Sequence, residues 1–86
     1  MDRSEIEQKV IDAVAFALCV VDKSTVQMGT KLADDLGGDS LDGVEVLMEI
    51  EDKFGIELND PEAESWRTVE DICNSVEKAL AGRVSL

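Results

Sequence analysis

The stretch Asp34–Phe54, DDLGGDSLDGVEVLMEIEDKF, decides how the rest of the chain is read. Gly37 and Gly38 make a turn that delivers Ser40 to the start of an amphipathic helix dense with carboxylates. Free backbone N–H groups, the positive end of the helix dipole and a hydroxyl thus converge where a phosphate can be attached. Ser40 reads as that attachment point. An ordinary N-cap serine is the competing reading of the same pattern.

At about 100° per residue, Asp42, Glu45, Glu49 and Asp52 fall in one narrow stripe. Leu41, Val44, Leu47, Met48, Ile50 and Phe54 share much of the remaining circumference, with Val46 at its flank. That apolar arc is wider than a small bundle needs to cover, so Leu41 and Met48, beside the acids, are candidates for partner contact. A merely solvated acidic face is the plainer alternative. The helix is predicted to run from Ser40 or Leu41 to Lys53 or Phe54 and to stop at Gly55. Gly43 inside it costs about 1 kcal/mol relative to alanine.

Outside this stretch the periodicity is again helical. Ile6, Val10, Ile11, Val14 and Leu18 predict a first helix from about Glu5 to Leu18 or Cys19, opened by a Ser4/Glu7 capping box. Phe16 falls off its stripe. From Val21 to Gly38 the residues read as a long loop, pinned to the core by Val26, Met28, Leu32 and Leu36. Asp60 with Pro61 predicts a cap and first turn for a short helix through Ser65. Thr68 with Asp71 caps a last helix containing Val69, Ile72, Cys73, Val76 and Leu80, predicted to end near Gly82 before a frayed tail.

Composition sets the limits. Eighty-six residues suffice for one domain with a modest core, here aliphatic because Phe16, Phe54 and Trp66 are the only aromatics. Twenty acidic residues against 8 basic ones give a net charge of -12, and between Asp34 and Glu64 the acids face only Lys53. Such a surface repels nucleic acid and anionic membrane and attracts basic protein patches. With neither a long apolar run nor a signal-like N-terminus, the sequence reads as cytoplasmic, and a monomer is expected. There is no histidine, and Cys19 and Cys73 form no metal-ligand or redox pair, so no metal site is expected. Both thiols read as buried, Cys73 more securely.

The run Leu36-Gly37-Gly38-Asp39-Ser40-Leu41-Asp42, followed by Val44-Glu45, Met48 and Phe54-Gly55-Ile56-Glu57, resembles the acyl carrier proteins from about Leu32 to Leu80. The resemblance implies an all-α four-helix bundle whose long first loop crosses the bundle and whose third helix is short. It implies a covalent 4'-phosphopantetheine on Ser40, flanked by Asp39 and Leu41, that carries acyl groups as thioesters. It also implies partners with basic docking patches: a phosphopantetheinyl transferase, and acyl-transferring and chain-elongating enzymes of fatty-acid or polyketide type. These would meet Asp39, Leu41, Asp42, Val44, Glu45, Met48, Glu49 and Asp52. By the same resemblance Val46, Ile50, Leu58, Ala63 and Trp66 line an acyl-chain cavity, with plain core packing as the alternative. Gly43, Lys53, Pro61 and Trp66 depart from the residues usual in the family and leave room for a specialised stand-alone carrier, peptidyl carriers included.

Three other readings compete with this one. Gly38-Asp39-Ser40-Leu41 spells the GDSL of a hydrolase family, but a chain without histidine lacks the imidazole base, so no enzyme and no catalytic residue is expected. A twelve-residue calcium loop begun at Asp34 would have Leu36 and Gly38 as its third and fifth positions. An unmodified acidic adaptor explains the stripe but not a serine presented after a glycine turn.

Overall fold

The computed structural model describes residues 2–37 and 40–84, with the side chains of 40–42, 83 and 84 outside the description. Four helices make up the fold, with no strand beyond one isolated bridge among the described residues. They are α1 (Arg3–Ala17), α2 (Ser40–Phe54), α3 (Asp60–Glu64) and α4 (Val69–Val84), an all-α, acyl-carrier-like architecture. Helix α1 packs against both α2 and α4, and α3 lies against α2.

The core follows the predicted periodicities. Ile6, Ile50 and Ile72, from α1, α2 and α4, are fully buried in one cluster with Val10, Val46 and Val76. Each such side chain contributes about 1.5–3 kcal/mol by leaving water. Ala13 and Ala17, four residues apart and buried, let the neighbouring helices approach α1 closely. Phe16, off the apolar stripe, is 72% exposed.

Several boundaries differ from expectation. Helix α1 begins at Arg3 because Asp2, not Ser4, is its N-cap, accepting from the Glu5 amide at 3.0 Å. Glu7 therefore pairs with Arg3 at 3.1 Å instead of closing a capping box. Helix α3 is capped one residue earlier than predicted, by Asn59, which accepts from the Glu62 amide at 2.9 Å; Pro61 then sits in the first turn, where its missing N–H costs nothing. Gly82 does not end α4, which continues to Val84.

Cys19 is exposed and left-handed, with φ 55°, contrary to the buried thiol expected there. It occupies the position just beyond the α1 C-cap, where the Val20 amide donates to Ala15 O at 2.9 Å and closes the helix end. Cys73 is buried as predicted, 3.7 Å from the Met28 sulfur, and burial pushes its thiol up to about 11. It is a core residue, not a reactive one.

The long loop is more ordered than its polar composition suggests. Asp22 accepts from the amide and the hydroxyl of Ser24, which fixes a short 3-10 turn at Lys23–Thr25 and lowers the Asp22 carboxyl from its ordinary value. Val26 is buried, and Met28, Leu32 and Leu36 pack partly buried against the core. Three backbone bonds then tie the loop to the chain entering α4: Leu32 N to Arg67 O at 2.9 Å, Val69 N to Thr30 O at 3.1 Å and Glu70 N to Met28 O at 3.0 Å. No described helix is long and apolar enough to cross a membrane.

Candidate functional site

The backbone of Ser40 opens α2, preceded by Gly37 at φ 70°, a conformation that only glycine adopts cheaply. Upstream, Lys31 and Asp35 close on one another, the Asp35 carboxylate accepting from the Lys31 amide at 2.8 Å and the Asp35 amide donating to Lys31 O at 2.9 Å. The turn upstream of α2 is thus held by local bonds, one through the Asp35 side chain and one through the backbone. Asp39 and the side chains of Ser40, Leu41 and Asp42 lie outside the described residues.

Along α2 the two faces separate as the wheel predicts. Val46, Leu47, Ile50 and Phe54 are buried. Val44 and Met48, one turn apart, remain 49% and 61% exposed. Glu45 and Asp52 are exposed and Glu49 half-buried, and none of the three has an ion-pair partner among the described residues. Uncompensated carboxylates beside exposed apolar side chains form a surface that a basic, partly apolar patch can cover. Glu51, off the acidic stripe, serves the fold by accepting from the Leu58 amide at 2.9 Å.

A cavity of about 610 Å³ opens beside the first turns of α2. Val46, Ala63 and Trp66 line it, together with Leu18, Leu32 and Leu47. Ile50 and Leu58, the other two residues expected there, are not among its lining: Ile50 is fully buried in the core and Leu58 packs on the edge of that core. Lys31 and Arg67 belong to the lining as well, as do Asp34, Asp60 and Glu64. No sequence pattern pairs residues so far apart; the bridge between Lys31 and Thr68 does so.

The far wall is held by two polar anchors. Trp66 is buried, with its indole N–H donating to the Ser75 hydroxyl at 2.8 Å, which fixes the ring's orientation. The backbone N–H groups of Arg67 and Thr68 donate to Asp71 at 2.9 and 3.1 Å and hold its carboxyl below the usual range. On the near wall Gly43 leaves a gap, since a Cβ added there meets no heavy atom within 4 Å. A helix start at a serine, beside an apolar-floored cavity with an open glycine flank, leaves room for a chain-like group. Among the described residues no cluster of side chains could hold a metal ion.

Comparison with known proteins agrees with this geometry. Residues 8–76 match the family described as "Phosphopantetheine attachment site", a span running from α1 into α4. An acyl carrier protein of Syntrophobacter fumaroxidans (strain DSM 10017 / MPOB) is 42% identical over 81 residues, covering 94% of this chain and 99% of the relative. The acyl carrier protein of Thermosynechococcus vestitus (strain NIES-2133 / IAM M-273 / BP-1) has the same identity and coverage. That of Thermotoga maritima is 44% identical over 78 residues, 91% of this chain and 95% of the relative.

Proposed function

The chain belongs to the phosphopantetheine-attachment family of acyl carrier proteins, and from that premise we propose that Ser40 bears the arm and that the acidic, partly apolar face of α2 presents it to enzymes. The chain is a carrier and not a catalyst, and its cofactor is covalent 4'-phosphopantetheine. When bound, that group supplies a terminal thiol which holds acyl chains as thioesters.

The protein's own contribution is placement. At the start of α2, Ser40 needs no local base, because a transferase brings the chemistry to its hydroxyl. The unsatisfied amides of the first turn favour a phosphodiester there over one in a helix interior. The observation that carries the assignment is the coincidence of that helix start with the one serine that follows a glycine turn inside the matched span.

Docking is proposed to use Glu45, Glu49 and Asp52 for steering and Val44 and Met48 for contact, with Asp39, Leu41 and Asp42 as further partner residues. Carboxylates at the rim raise association rates, while apolar side chains at the centre prolong the complex. The partners are a phosphopantetheinyl transferase and acyl-transferring, chain-elongating enzymes bearing basic patches. The cargo is an aliphatic acyl chain of the fatty-acid type, sheltered against Val46, Ala63 and Trp66. The proposal also takes the chain as a single carrier domain, monomeric and cytoplasmic.

The test is the intact mass of the protein before and after incubation with coenzyme A and a broad-specificity transferase. A gain of one phosphopantetheine is expected, together with its loss in Ser40→Ala while the helical circular dichroism is retained. A Ser40→Ala variant that still gains the mass would refute the assignment.

A further inference from the structure

Helix α2 contains a glycine that its own fold does not use. Glycine in a helix ordinarily answers to a left-handed φ or to a close neighbour. Gly43 has neither: its φ is not in the left-handed region, and a Cβ built on it meets no heavy atom within 4 Å. Alanine would fit and would favour the helix, so the cause of the glycine lies outside the empty fold. Gly43 is also in the wall of the cavity beside Ser40.

Side chains on a helix lean back over the preceding turn. A side chain at 43 would therefore lean over the turn that carries Ser40, three residues earlier, from a position in the lining of the cavity. We propose that Gly43 is a specificity-determining residue: by leaving the flank of α2 bare, it keeps open the passage from the arm on Ser40 to the apolar floor at Val46, Ala63 and Trp66. The width of that passage then sets which acyl chains the carrier shelters. The inference rests on the reading of Ser40 and of the cavity given above.

The experiment compares apo, phosphopantetheinylated and octanoylated forms of the wild type, Gly43→Ala and Gly43→Leu, with conversion verified by intact mass and melting temperature as the readout. If the cavity takes the chain, octanoylated wild type melts above its phosphopantetheinylated form. Gly43→Ala is expected to raise the melting temperature of the apo form by about 4–8 °C, the response of a domain this size to one helix glycine replaced by alanine. It should also diminish the gain on octanoylation, and Gly43→Leu should abolish that gain. Should leucine prevent folding, the alanine variant decides the matter alone.

Wild-type gain retained in full by the folded variants would overturn the role of Gly43 and leave the cavity standing. Absence of any gain in the wild type would remove the cavity reading and this proposal with it, without touching Ser40 as the attachment point. A folded Gly43→Leu that the transferase cannot modify would assign the glycine to enzyme access and also overturn the proposal.

Discussion

Helices α1 and α2 have the same length, 15 residues, and close alike, each with a left-handed residue beyond its end and the following amide donating back into the last turn. Yet, the exposed Phe16 apart, the described side chains of α1 are largely explained by the fold, and much of α2 is not. Each of the three ion pairs among the described residues includes an α1 side chain: Arg3 with Glu7, Arg3 with Glu77, and Asp12 with Lys23. Lys9 lies over the Phe54 ring, 5.8 Å from its centroid. On α2, by contrast, Glu45, Glu49 and Asp52 lack such partners, Val44 and Met48 face solvent, and Gly43 packs against nothing. Residues that cost stability without a structural return mark where a protein meets something else.

The largest effect that sharpens this contrast is on the structural helix. Ile6→Ala removes a fully buried side chain and is expected to cost about 2–5 kcal/mol in urea unfolding, a large share of the ~5–15 kcal/mol typical of a domain. Below its melting temperature the variant should still be modified at the wild-type rate. A reduced rate in the folded variant would show that α1 shares in docking, and the contrast would fail.

On the second helix the expected result is the reverse. Glu45→Lys with Glu49→Lys should slow association with the transferase by roughly tenfold at low salt, less so as salt screens the pair, and leave stability unchanged or slightly raised. Unchanged transferase kinetics at low ionic strength would reduce the stripe to a solvated face.

The smallest effect concerns the two closures. Gly55 takes φ 63° at the end of α2 without steric cost, whereas Cys19 takes φ 55° at the end of α1 with a Cβ in the way. Cys19→Gly relieves about 1–2 kcal/mol of left-handed strain and adds roughly half that in unfolded-chain entropy. A net gain of about 0.5–1 kcal/mol should appear as a higher melting temperature; a lower one would mean that Cys19 packs more than its exposure indicates.

Where the sequence was legible, one physical signal dominated. Apolar periodicity located α1, α2 and α4, whose apolar faces are buried by neighbours, while the Asp60–Pro61 start signal located the short α3. Caps were harder because adjacent polar residues compete for the same amides: Asp2 wins over Ser4, and Asn59 over Asp60, by reaching the amide three residues on. Helix stops depended on the residue next after the turn. Gly55 precedes buried Ile56 and Cys19 precedes half-buried Val20, whereas Gly82 precedes Arg83 and the helix runs on. An apolar anchor after the left-handed residue is what makes the closure worth forming.

The candidate site was legible by halves. The acidic stripe and the exposed Met48 followed from the wheel, because a helix face is a matter of angle. The cavity did not, because depth is not: Ile50 shares the inward direction with Val46 yet lies fully in the core, while Leu18, Leu32 and Leu47 reach the lining instead. Lys31 and Arg67 come to the same cavity through bonds between the long loop and the start of α4, and no local pattern encodes them.

The central claim is that the start of α2 is where the arm is attached. Proteolysis of the modified wild-type protein followed by fragment-ion mass measurement locates the added group among the six serines of the chain. The account predicts one phosphopantetheine, in full occupancy, on Ser40. The group found on Ser4, Ser24, Ser65, Ser75 or Ser85, or no group on a folded protein that a control carrier shows the transferase could modify, would contradict it.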